Sequence, residues 1–262
     1  MDVTLIKYET VNGDCKLLKE RQRRFVVIRG LKNRKQLFFR SFERIYLIRN
    51  IMKLHNLENV FHLEIDNLVY DDISKWISIF IAKEVKIAFM IDNHNRATFG
   101  ACYFKNCEIL RLLTDYLNSN YLNNLPRSWP NEMTAIWGFF KKNPALCYIM
   151  PSLQPGNSES GDTVHAIGEM MQEHYVDFDT VFDPSTYGVY LLGQDVYHTG
   201  GKIVLKKVNP FGYIKTIPNM EWIVRDGLKK PYIINEGSSP TLINNLHVHS
   251  KDLINGISKP YV

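Results

Sequence analysis

Cysteine is scarce in this chain and long apolar runs are missing. Its 262 residues hold four cysteines, Cys15, Cys102, Cys107 and Cys147. They show neither paired metal-ligand spacing nor the density of a disulfide framework, so they read as reduced, mostly structural thiols. No apolar stretch reaches the roughly 18 residues that a membrane span needs. The longest, residues 76–82, is cut off by Lys83 and Glu84. A secretory leader is not expected either, because Asp2 and Lys7 interrupt the first residues and no long apolar segment follows. Together these absences point to a cytosol-like, cytoplasmic compartment. There is also no internal repeat, no low-complexity tract, no zinc-finger spacing and no RNA-binding signature, so nucleic acid is not an expected partner.

What is present is ordinary for a globular protein: 45% hydrophobic and 23% charged residues, enough to bury one sizeable core. The net charge of +5 is concentrated in residues 16–24, with Arg29, Lys32, Arg34, Lys35 and Arg40 nearby. Such a run is either a solvated helix face or an attractor of phosphates. The apolar patterning predicts strands at 3–8, 25–28, 85–90 and 98–104, with Gly100 where another group approaches the backbone closely. An Asn12-Gly13-Asp14 turn follows the first strand. Helices are expected after Ser41, read as an N-cap, after Asp72, over 107–117, and from Asn131-Glu132-Met133 towards Pro144. The Pro-, Gly- and Ser-rich segment 151–161 should be a loop. Strands alternating with helices imply an α/β fold with a mixed sheet, here taken as one domain over 1–262.

The run 60–70 carries the most chemistry. Alternation in one continuous strand would place Phe61, Leu63 and Ile65 on one face and His62, Glu64 and Asp66 on the other. Two carboxylates beside an imidazole are costly unless something outside the chain satisfies them. Magnesium or manganese on a diphosphate needs only one or two protein carboxylates, since phosphate oxygens and water complete its shell. Asp66 could bind such an ion, with Glu64 reaching it through water or holding a sugar hydroxyl. The acid-x-acid spacing alone is loose, and Asp177-Phe178-Asp179 repeats it without a buried strand ahead, so that copy reads as a decoy. Near the end of the chain, His247 and His249 share one strand face, with Leu246 and Val248 behind them. Imidazole is a common metal ligand, and a nearby carboxylate would complete a mixed site.

Three ordered segments, 41–70, 182–193 (opening Phe182-Asp183-Pro184-Ser185) and 244–251, resemble a group of GT-A-type glycosyltransferases found in large DNA viruses, algae and bacteria. The resemblance spans residues 25–253. It implies a GT-A-like, mainly parallel sheet flanked by helices, and transfer of sugar from a nucleotide-diphosphate donor to a glycan or protein acceptor. It further implies Glu64-Ile65-Asp66 at the family's Asp-x-Asp position, with His249 or His247 as a further ligand to Mn2+ or Mg2+. Glu132 would be the catalytic base, and Asn67, Gly188 and Gly193 would join Glu64 and Asp66 at the donor. If viral, the protein would act in host cytoplasm or virion. One departure is that only about 60 residues precede the carboxylate strand, which predicts an abbreviated N-terminal nucleotide-binding unit. The alternatives are a catalytically impaired relic acting as a binding or assembly module, and a metal-dependent hydrolase using His62, Glu64, Asp66, His247 and His249.

Overall fold

Helix-capping residues set the frame. In a computed structural model describing residues 35–122, 131–156, 162–194, 213–214, 217–235, 237, 239–250 and 253–258, helix α1 spans Lys35–His55. Strand β1 (Val60–Leu63) and β2 (Asn67–Val69) follow. Helix α2 (Ile73–Ala82) begins where the Asp72 side chain accepts from Ser74 N. The strands β3 (Ile87–Asn93) and β4 (Arg96–Phe104) form a hairpin. Helix α3 (Cys107–Leu117) is capped by Asn106, which accepts from Ile109 N. Helix α4 (Glu132–Lys142) is capped by Asn131, which accepts from Thr134 N. Both caps satisfy N–H groups that a first helical turn leaves without partners. Strand β5 (Cys147–Ile149), helices α5 (Asp162–Gln172), α6 (Tyr175–Phe178) and α7 (Tyr187–Leu192), and strands β6 (Met220–Arg225), β7 (Leu228–Ile233), β8 (Thr241–Leu242) and β9 (Asn245–His247) complete the order.

The main sheet runs β1-β4-β3-β5. Every residue of β3 is buried, because its two faces serve two cores. Ile87, Phe89 and Ile91 join Phe42, Ile45, Leu110, Leu113, Ile136 and Phe139 from α1, α3 and α4. Ala88 and Met90 join Trp76 and Phe80 of α2, with Phe182. The chain is thus mixed α/β, with helices covering both faces of a mixed sheet. Parallel pairing is limited among the described strands to β3 with β5, plus a single bridge between Val181 and Ile243. This corrects the expectation of a mainly parallel sheet. The His94-Asn95 connection makes β3–β4 an antiparallel hairpin, whereas parallel neighbours need a crossover, which α3 and α4 supply only before β5.

Two local expectations also change. Ser41 is no N-cap, because α1 already runs through Lys35 and its opening residues contain no helix breaker. The run 60–70 is not one strand: it breaks after Leu63 and resumes at Asn67. Consequently Ile65 does not lie inward with Phe61 and Leu63 but is 95% exposed. The predicted strands at 3–8 and 25–28, the Asn12 turn, the basic run 16–24, Cys15 and the abbreviated N-terminal unit lie outside the described residues, as do residues 157–161 of the predicted loop.

Candidate metal centre

The break after Leu63 builds the site. Glu64 N donates to Gly100 O at 2.8 Å, the last bond of β1 to its neighbour. The chain then turns, with Asn67 N donating back to Glu64 O at 3.0 Å. Strand β2 pairs with β9 rather than with the main sheet, and the register sets Asn67 opposite His247. Val248 N donates to Asp66 O at 2.8 Å, tying the turn to the end of β9. As a result His247 Nε2 lies 3.4 Å from Asp66 Oδ2 and 3.5 Å from Glu64 Oε2. Ligand atoms of Glu64, Asp66 and His247 all fall within 4.8 Å of one another. The floor is Gly100: a Cβ there would stand 3.0 Å from Glu64 Oε2, 3.1 Å from Asn67 Nδ2 and 3.5 Å from His247 Nδ1.

A second segment braces the first. The buried Asp183 carboxylate accepts from Thr186 N and Tyr187 N through Oδ1, at 2.7 and 2.8 Å. Through Oδ2 it accepts from Gly188 N at 2.8 Å and His247 N at 2.9 Å. One anion therefore caps the start of α7 and pins the backbone of the site histidine. Burial pushes the Asp183 pKa up, and these N–H donors work against that rise. Gly188 lets α7 lie directly on β9, since a Cβ there would collide with His247 O. Gly193 closes α7 at φ +89°. These are packing and terminating roles: Gly188 abuts the His247 backbone, and neither glycine belongs to the carboxylate–histidine group. Asn67 is a strut: its Nδ2 donates to Gly100 O at 3.1 Å and its Oδ1 accepts from Asn245 Nδ2 at 2.8 Å.

Charge is balanced from α1. Arg44 Nη1 donates to Glu64 Oε1, and its guanidinium lies 5.3 Å from the centre of the Phe99 ring. Burial raises the pKa of Glu132; the Arg44 charge and a hydrogen bond from Ser41 oppose the rise, while Glu64 adds to it. Glu132 is thus electrostatically coupled to the site through Arg44 and Glu64. Burial lowers the pKa of His247, but a hydrogen bond to Asp66 and the charges of Glu64, Asp66 and Asp183 outweigh it, leaving the value raised.

The other predicted residues fall elsewhere. His62 packs on Phe99, with ring centres 5.4 Å apart, and burial, helped by the Arg44 charge, drops its pKa to about 3. His249 stands beside His247, ring centres 4.6 Å apart, yet outside the three-residue group. The compact histidine-rich site expected of a hydrolase does not form among the described residues. Asp177, of the decoy pair, is engaged by Lys83 Nζ at 2.6 Å and by Tyr148 OH at 2.6 Å. Sequence reasoning gave no role to Arg44, Asp183 or Ser185. For Asp183 a signal existed: an Asp before Pro-Ser-Thr at the head of an apolar run is turn and cap chemistry.

No protein-family model matches this chain, and neither a curated protein nor a solved structure matches it significantly.

Proposed function

We propose that this protein is a metal-dependent glycosyltransferase that takes sugar from a nucleotide-diphosphate donor. The observation that carries the reading is the meeting of Glu64, Asp66 and His247 within 4.8 Å. Those residues come from two of the segments that resemble GT-A enzymes, and the third segment holds the group together through Asp183. The donor set fits the cation: the carboxylate oxygens suit Mn2+ or Mg2+, the one imidazole favours Mn2+ of the two, and phosphate oxygens can complete the shell.

In this reading Asp66 and His247 Nε2 hold the cation, and Glu64 offers Oε2 while Arg44 retains its Oε1. When bound, the ion offsets negative charge that develops on the leaving diphosphate. If the transfer inverts configuration, Glu132 takes the proton from the acceptor hydroxyl; a raised carboxyl pKa suits that task.

The test is calorimetric titration of UDP and of GDP, with and without Mn2+, into the native protein and Asp66→Ala. Metal-dependent binding of one nucleotide, abolished in the variant, is the expected result. A folded native protein that binds neither nucleotide in the presence of Mn2+ overturns the reading.

A further inference from the structure

Ser185 holds a backbone conformation that a serine rarely adopts. Its φ is +71°, in the left-handed region where a Cβ crowds the following carbonyl and glycine is at ease. It is also 5% exposed, so solvent gives no reason for a polar side chain there. Its neighbours explain how the strain is held. Asp183, two residues earlier, fixes the turn by accepting from Thr186 N and Tyr187 N, and Pro184 restricts the chain between them. Such strain persists only where surroundings over-determine it, and it gathers at functional sites.

What the serine gains is contact with His247. Its hydroxyl oxygen lies 2.8 Å from His247 Nδ1, on the opposite side of the ring from the carboxylates, which face Nε2. A neutral imidazole carries one N–H, and whichever nitrogen keeps it cannot bind a cation. We infer that Ser185 is a positioning residue: its hydroxyl bonds His247 Nδ1 and holds the ring with Nε2 between Glu64 and Asp66, donating while Nε2–H faces the carboxylates and accepting Nδ1–H once a cation takes Nε2. A hydroxyl is suited to this because it can donate to a bare Nδ1 or accept from Nδ1–H. Partners behind a metal-binding histidine fix ring and tautomer in this way, and losing one weakens metal affinity about 10–100-fold. The consequence for affinity rests on the cation-binding reading above; the orientation of the ring does not.

The experiment separates the two. Histidine-labelled, metal-free protein is examined by two-bond 1H–15N correlation NMR at a pH where His247 is neutral, with His247→Gln giving the assignment. Native protein should show the Nε2–H tautomer, with Nδ1 at the 15N shift of a hydrogen-bonded acceptor. Ser185→Gly, which accommodates the positive φ, and Ser185→Ala should both move the Nδ1 resonance to that of an unbonded nitrogen, with melting temperatures close to native. In parallel, Mn2+ titration should give affinities about 10–100-fold weaker in both variants. Variants that keep both the native Nδ1 resonance and the native Mn2+ affinity overturn the role of Ser185. Native protein that binds no Mn2+ while the Nδ1 resonances behave as stated instead sinks the cation reading and leaves Ser185 as the group that orients His247.

Discussion

Gly100→Ala offers a way to damage the candidate site while sparing the fold. The added Cβ would stand 3.0 Å from Glu64 Oε2 and 3.1 Å from Asn67 Nδ2, each tighter than ordinary contact by a few tenths of an ångström, and 3.5 Å from His247 Nδ1. All three atoms are side-chain ends, so they can yield without moving backbone. Alanine also removes conformational freedom from the unfolded chain, contributing about 0.4–1 kcal/mol where its backbone angles are acceptable. That offsets much of the crowding, and net stability should stay within about 1 kcal/mol of native. The site has less tolerance, because the atoms that must yield include a candidate ligand and its strut. A loss of about 10–100-fold in Mn2+ affinity is expected by analogy with disturbed outer-shell partners, or about 1.4–2.7 kcal/mol of binding. Thermal melting and Mn2+ calorimetry on the same preparation measure both quantities. Native Mn2+ affinity in a normally folded Gly100→Ala protein would refute the placement of the cation above Gly100.

Two further substitutions probe what surrounds the site. Gly188→Ala places a Cβ against the His247 carbonyl and 2.8 Å from Asp183 Oδ2; here backbone must move, so a loss of about 1–3 kcal/mol or more is expected in urea unfolding. A melt indistinguishable from native would show that α7 does not rest on β9 as described. Asp177→Asn should cost about 1–3 kcal/mol at neutral pH by leaving Tyr148 OH and Lys83 with a weaker acceptor. Burial opposes ionisation of Asp177, but the Lys83 and Tyr148 hydrogen bonds prevail and its pKa is lowered. Its contribution is therefore fully present above the ordinary carboxylate value of 3.8 and fades as pH falls through the lower folded value. Urea unfolding of both proteins should show the gap between them narrowing only below about pH 4; a constant gap contradicts the assignment.

How much of this was legible in the chain depends on how local each feature is. Helix α3 was readable from end to end, because Asn106 supplies its cap and Ile109, Leu110, Leu113 and Leu117 its apolar face. The break at Glu64 was not. Ile65 continues the alternation on paper, and what ends the strand is a bond to Gly100 and a pairing with β9 from far along the chain. The same distance hides the choice between two histidines. Both share a strand pattern, and only the end of β9 at His247, opposite Asn67, selects one. Gly188 and Gly193 read alike as glycines, yet one permits close packing and the other a positive φ. The sequence shows that glycine is required without showing which need it meets.

Nor is carboxylate spacing what distinguishes the candidate site. Asp177 also belongs to an acid-x-acid pattern, and Asp183 is more deeply buried than either Glu64 or Asp66. The difference lies in how each charge is answered. Asp177 has a lysine and a tyrosine hydroxyl; Asp183 has four backbone N–H groups. Glu64 and Asp66 instead converge on one imidazole, with the Arg44 guanidinium bonded to the far oxygen of Glu64. Two like charges brought this close repel, and the Arg44 guanidinium and the His247 ring stand against them. The turn, the β2–β9 register, the Gly100 floor and the strained Ser185 all act to hold those carboxylates and that imidazole together. None of these devices would be needed to stabilise a sheet edge. Their agreement on one point in space is what supports the proposed cation site.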